Sequence, residues 1–190
     1  MKNIVLFGPP GAGKGTQAEI LKTGYQLVHI STGDVFRYNM KNETELGTQA
    51  KSFIDDGKLV PDEVTIKMLK AEVEKNPETK GFIFDGFPRT RPQAEALDKL
   101  MQEMDSSISA MVALEVDDEV LVKRLLERGK SSGRKDDANE GVIRKRMKVY
   151  YEETAILKSY YKKQNKFYGI DGVGSIDQIT QRLAQVIDKL

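Results

Sequence analysis

The chain reads as an α/β protein, predicted by short apolar runs that alternate with longer helical patterns and by a glycine-rich turn directly after the first run. Such alternation is the mark of parallel strands joined by crossover helices. Five runs rich in Ile, Val, Leu and Phe predict strands at Asn3–Phe7, Gln26–Ile30, Phe82–Asp85, Met111–Val116 and Lys166–Asp171. Helical spacing covers Gly15–Lys22, Asp34–Lys41, Glu45–Asp55, Asp62–Lys75, Arg91–Met104, Asp118–Glu127, Glu140–Gln164 and Ser175–Leu190. Several of these open on Ser, Thr or Asp, the side chains that accept from free N–H groups at a helix start.

Two stretches interrupt the rhythm. Residues 31–81 carry several helical patterns where one crossover helix suffices, which predicts a small inserted unit. Gly129 to Asn139 is polar, contains glycine and lacks periodicity, which predicts a mobile surface loop able to act as a lid.

Composition narrows the classes of function. Thirty Lys and Arg stand against 29 Asp and Glu, a formal charge of +1, so no global field draws the molecule to nucleic acid or to an anionic membrane. Anion binding has to be local. With no cysteine and one histidine, thiolate zinc sites, disulfides, a cysteine nucleophile and a histidine metal cluster are all excluded. No apolar stretch approaches membrane-spanning length, and the expected location is cytoplasmic.

The first strand runs into Gly8-Pro9-Pro10-Gly11-Ala12-Gly13-Lys14-Gly15-Thr16, the G-x-x-x-x-G-K spacing of a phosphate-binding loop. Glycines let backbone N–H groups turn toward phosphate oxygens, the following helix adds its positive end, and Lys14 adds a movable charge. The general pattern has Ser or Thr directly after the lysine, whereas here Gly15 intervenes and the hydroxyl arrives at Thr16. Spacing argues against two other nucleotide binders. A guanine-specific switch lacks its Asn-Lys-x-Asp motif here, and a dinucleotide-binding dehydrogenase lacks G-x-G-x-x-G.

That loop with Gln17 resembles the nucleotide loop of the adenylate kinases, in which the extra glycine is usual. Further blocks resemble the same family in the same order: Ser31-Thr32-Gly33-Asp34 with Arg37, Gly57 to Asp62, Asp85-Gly86-Phe87-Pro88-Arg89 with Gln93, Arg134 to Asp137 with Arg146, and Gly172-Val173-Gly174. The resemblance implies a P-loop kinase core at 1–30, 61–126 and 138–190, a monophosphate-binding insertion at 31–60 and a short lid at 127–137. It also implies a Mg-dependent, monomeric enzyme that moves the terminal phosphoryl group of ATP to AMP. A related UMP/CMP kinase is the alternative within the family, and those enzymes tend to carry Ala and Asn where this chain has Thr32 and Gln93.

Site roles follow from the same resemblance. ATP is expected at Gly11, Ala12, Gly13, Lys14, Gly15, Thr16, Arg124, Arg128 and Gly174. AMP is expected at Thr32, Arg37, Lys58, Leu59, Val60, Gly86, Phe87, Pro88, Arg89, Gln93, Arg134 and Arg146. Lys14, Asp85, Arg89, Arg128, Arg134 and Arg146 are the expected catalytic set, with Asp85 holding magnesium through water and no structural zinc. The arginines make physical sense, because planar guanidinium groups grip phosphate oxygens in pairs and stay charged. The spacing after Arg134 is one residue longer than usual, so Arg144 competes with Arg146. Two positions apart on a helix, only one of them should face the phosphates. His29 is expected to be packed or hydrogen-bonded rather than a participant, and the tyrosines between 150 and 161 are expected to form core and rim.

Overall fold

The computed structural model describes residues 1–190. Five strands, β1 (Ile4–Phe7), β2 (Val28–Ser31), β3 (Phe82–Asp85), β4 (Ala110–Glu115) and β5 (Phe167–Asp171), form one sheet in the order β2-β3-β1-β4-β5, every pair parallel. Nine α-helices connect them: α1 (Lys14–Tyr25), α2 (Thr32–Lys41), α3 (Glu45–Asp55), α4 (Asp62–Glu74), α5 (Arg91–Glu103), α6 (Asp118–Ser132), α7 (Glu140–Val149), α8 (Leu157–Lys162) and α9 (Ile176–Ile187).

A parallel sheet has to be covered on both faces, so its central strands are apolar at every position. In β1 the alternation of the pleat sends Ile4 and Leu6 into one core and Val5 and Phe7 into the other. The first core joins them to Leu21 of α1, Leu121 and Leu125 of α6, Ile143 of α7, and Leu183 and Ile187 of α9. The second packs Phe82 and Phe84 of β3 with Leu69 and Val73 of α4, Leu97 and Met101 of α5, and Tyr161 of α8. A third, small cluster of Phe36, Ala50, Val60 and Met68 lies between α2, α3 and α4. Within the segment that interrupts the strand rhythm, α2 and α3 meet through this cluster, while α4 also reaches the second core through Leu69 and Val73.

The elements depart from the sequence expectation in three places. Residues Gln26 and Leu27 are not strand: α1 runs on to Tyr25, and Gln26 adopts the left-handed conformation (φ 56°) that closes it, its N–H bonding Lys22 O. The stretch expected to be aperiodic from Gly129 is helical as far as Ser132. There α6 ends at Gly133 (φ 65°), and a turn of 3₁₀ helix follows at Lys135–Asp137. Glycine at 129 permits this, since a Cβ there would lie 2.5 Å from Asp137 O. The single helix expected over Glu140–Gln164 is instead broken. α7 passes into a π-helical turn at Tyr150–Thr154, with Ala155 N–H on Tyr150 O at 2.7 Å, before α8 begins. Tyr150 and Tyr161 are core and Tyr151 is exposed.

β1 lies between β3 and β4, so the chain leaves it in both directions across the sheet. Open α/β sheets bind their ligands in the crevice beyond the strand ends at such a reversal. The loop after β1 and Asp85 at the end of β3 both open there. Leu6 is 1% exposed at the centre of this arrangement. Leu6→Ala should cost about 2–5 kcal/mol of stability, read as a lower denaturant midpoint at unchanged slope.

Candidate active site

The loop after β1 is shaped by backbone. Gly13 caps α1 at φ 94°, which a side chain would resist, and no side chain caps the helix start. The N–H groups of Lys14, Gly15 and Thr16 consequently meet no acceptor in the chain and point to where an anion would sit. Lys14 Nζ donates to Gly8 O at 2.9 Å and Pro9 O at 3.1 Å, folded back on the loop it completes.

This loop is one wall of a cavity of about 750 Å³. Every residue nominated from the sequence lines it. Gly11 through Thr16 with Arg124, Arg128 and Gly174 are in the lining. So are Thr32, Arg37, Lys58, Leu59, Val60, Gly86, Phe87, Pro88, Arg89 and Gln93, and Asp85, Arg134 and Arg146. Between Arg144 and Arg146 the geometry is decisive. Arg146 enters the cavity, whereas Arg144 lies outside it on Glu140 (2.8 Å) and Glu119 (3.2 Å).

The arginines are held by carboxylates. Asp137, with a fully buried side chain, accepts from Arg128 Nε and from Arg146 Nη1, each at 2.6 Å, and Asp136 adds a second contact to Arg146 at 3.0 Å. Burial works against ionising Asp137, but these two guanidinium groups outweigh it and hold its carboxyl below the ordinary aspartate value. Asp34 takes Arg37 at 2.5 Å and, across the cleft, Arg134 at 3.4 Å. Arg89 donates from Nε to Gly86 O at 2.7 Å, at a glycine with φ 77° where a Cβ would lie 2.9 Å from Thr32 Oγ1. Thr32 itself is buried and donates to Gly86 O at 2.9 Å.

His29, expected only to be packed or hydrogen-bonded, does bond Glu19 through Nδ1 at 2.8 Å, but it also stands in the cavity wall. Its Nε2 is 3.7 Å from Asp85 Oδ2, a charge contact rather than a hydrogen bond. Burial opposes the charge on both groups, yet their mutual attraction, with Lys14 and Arg89 near Asp85, raises the pKa of His29 and lowers that of Asp85. The carboxylate of Asp85 faces the start of α1, since a Cβ on Gly15 would lie 3.7 Å from Oδ2. No third acidic or histidine ligand gathers there, so a cation beside Asp85 would take most of its ligands from water and phosphate oxygens.

The adenylate kinase family model matches residues 6–166. The chain is 64% identical to an adenylate kinase of Flavobacterium johnsoniae, 62% to one of Flavobacterium psychrophilum and 50% to one of Parabacteroides distasonis, each over the full length of both chains. The chain belongs to the adenylate kinase family. The carboxylate partners of its arginines were not singled out from the sequence, since Asp136 and Asp137 looked like polar loop residues and Asp34 like a helix-start residue. The only signal was their place inside motifs that also carry arginines.

Lys14 keeps some solvent contact through the cavity, but the surrounding atoms strip most of its water. That burial, with Arg89, Arg146 and Arg128 nearby and only Asp85 opposing them, lowers its pKa from 10.5 to about 8. A polyphosphate placed against it favours the protonated form. ATP binding should therefore take up protons near and above pH 8 and weaken as pH rises further. Calorimetry at pH 8 in buffers of different ionisation enthalpy measures this uptake, and a binding heat independent of buffer would contradict it.

Proposed function

We infer that this chain transfers the terminal phosphoryl group of ATP to AMP, producing ADP from both, with the transfer running directly between nucleotides held in the one cavity. The observation that carries this reading is the joining of two anion sites. The amide-lined loop before α1 and the Arg37 and Arg89 pair line the same cavity, together with Arg128, Arg134 and Arg146. A protein that only bound or hydrolysed ATP would have no use for the second arginine site.

On this reading the phosphates of ATP take the amides of residues 13–16, Lys14 and Arg128, with its adenine against Arg124 and Gly174. The AMP phosphate takes Arg37 and Arg89, and its base lies against Thr32, Val60 and Gln93. Phosphoryl transfer asks for alignment and for neutralisation of the equatorial oxygens more than for acid–base chemistry. Lys14, Arg128, Arg134 and Arg146 supply the charge and the pairing carboxylates pre-aim it, so little reorganisation is left for the transition state. The attacking AMP oxygen is already anionic and needs no base. Asp85, oriented by His29, would hold magnesium through bound water, and the cation would neutralise charge on the ATP phosphates.

The insertion at 31–60 and the lid at 127–137 are proposed to fold over AMP and ATP respectively, expelling water that would otherwise intercept the phosphoryl group. Support comes from Arg134 and Asp34, which link these two segments directly across the cleft. A monomer in the cytoplasm is the proposed state and location, resting on the family alone.

A coupled assay of ATP with AMP and magnesium tests the reading: stoichiometric ADP supports it, and slow ATP hydrolysis indifferent to AMP contradicts it. Arg89→Ala should weaken AMP by about tenfold or more, as expected for the loss of a charge-assisted contact, while leaving ATP affinity within about twofold. Separate titrations showing the reverse would mean that the two ends of the cavity are exchanged.

A further inference from the structure

Gln93 lines the acceptor end of the cavity and is almost wholly buried, 1% exposed. Its carboxamide is gripped on both sides. Oε1 accepts the backbone N–H of Arg89 at 2.8 Å, and Nε2 donates to Asp62 Oδ1 at 2.7 Å. Asp62, the first residue of α4, receives a second bond on the same oxygen from Thr90 Oγ1 at 2.9 Å, and Thr90 caps α5. Asp62 is not part of the cavity lining, so whatever it does for a ligand it does through Gln93.

These two partners leave the amide one orientation. A carboxylate only accepts and a backbone N–H only donates. Rotating the carboxamide by half a turn would set C=O against the carboxylate and NH₂ against the Arg89 N–H, breaking two buried hydrogen bonds and replacing them with repulsions. With one N–H and one oxygen lone pair engaged, one of each remains on the amide, in a fixed order. Adenine offers an amino donor beside a ring-nitrogen acceptor. A 6-oxopurine offers the inverse, a carbonyl acceptor beside an N–H donor. Only one of these matches a carboxamide of given direction.

We propose that Asp62 is a positioning residue for acceptor selectivity: it fixes the direction of the Gln93 carboxamide and so makes the acceptor end accept adenine and refuse 6-oxopurine monophosphates. The proposal rests on the assignment of AMP to this end of the cavity. It explains why a carboxylate lies behind the amide, where asparagine or serine would fill the same place at the start of α4 but would bond to either end of Gln93.

The test compares kcat/KM for AMP and for IMP, at saturating ATP, in the wild-type chain and in Asp62→Asn and Asp62→Ser. Both variants remove the partner that only accepts and leave the Arg89 N–H alone to hold the amide, so the AMP-to-IMP ratio should fall at least about tenfold, the scale set by a mispaired buried polar group. The change should appear mainly in KM for the two acceptors, with KM for ATP unmoved, and Asp62→Glu should restore part of the ratio. A proportional loss with both acceptors, leaving the ratio as in wild type, would mark Asp62 as merely structural and overturn the proposal. A wild-type chain that does not distinguish AMP from IMP would overturn the acceptor assignment itself and the proposal with it. One measurement needs no variant. In ¹⁵N-labelled wild-type protein the Gln93 Nε2 proton that bonds Asp62 should exchange with water more slowly than its cavity-facing partner, and equally rapid exchange of the two would contradict the fixed orientation.

Discussion

The structure depends on the concentration of positive charge in one cleft of a molecule that is otherwise nearly neutral. Lys14, Arg37, Arg89, Arg128, Arg134 and Arg146 all line the same cavity, while the whole chain carries a formal charge of only +1. Unpaired and desolvated, each such cation would cost several kcal/mol. The chain offsets this with Asp34, Asp85, Asp136 and Asp137, placed behind and between the cations. These carboxylates do not neutralise the cleft, and the remaining positive surplus is what an anionic ligand meets. They also fix where the guanidinium groups are before any ligand arrives, and for a reaction whose barrier is set by charge alignment that is the catalytic contribution a protein can make.

The sheet makes this concentration possible. Because β1 sits between β3 and β4, the loop after β1 and the carboxylate ending β3 open into the same crevice. The two cores, one on each face, hold that edge rigid. The arginines of α6 and α7 and those of α2 and the loop after β3 all line it. Aspartates 136 and 137 lie in a single 3₁₀ turn between α6 and α7, so one short segment ties arginines of both helices.

What could be read from the sequence was what is local. The glycine loop announces itself because its spacing and its position after an apolar run are both contiguous, and the strands because parallel β leaves uninterrupted apolar runs. Each strand was located within a residue or two. The choice between Arg144 and Arg146 could not be made from spacing, since it depends on where α7 starts and how α7 is rotated against α6, which the packing of Ile143 and Met147 decides. The helical continuation through Gly129–Ser132 was hidden by polar composition, and the π-helical turn by an unbroken helical pattern. The pairings that orient the site were also out of reach: Asp137 with Arg128, His29 with Asp85, and Asp62 with Gln93 join residues on different elements. A surface aspartate and a buried arginine clamp look alike in one dimension.

The central claim is that two nucleotides lie phosphate to phosphate in the one cavity. Calorimetric titration with a compound that joins two adenosines through a polyphosphate chain tests it most directly. The account predicts one molecule bound per chain, much more tightly than ATP or AMP, with both nucleotides displaced. Binding no tighter than that of ATP, or binding that leaves AMP in place, would contradict it.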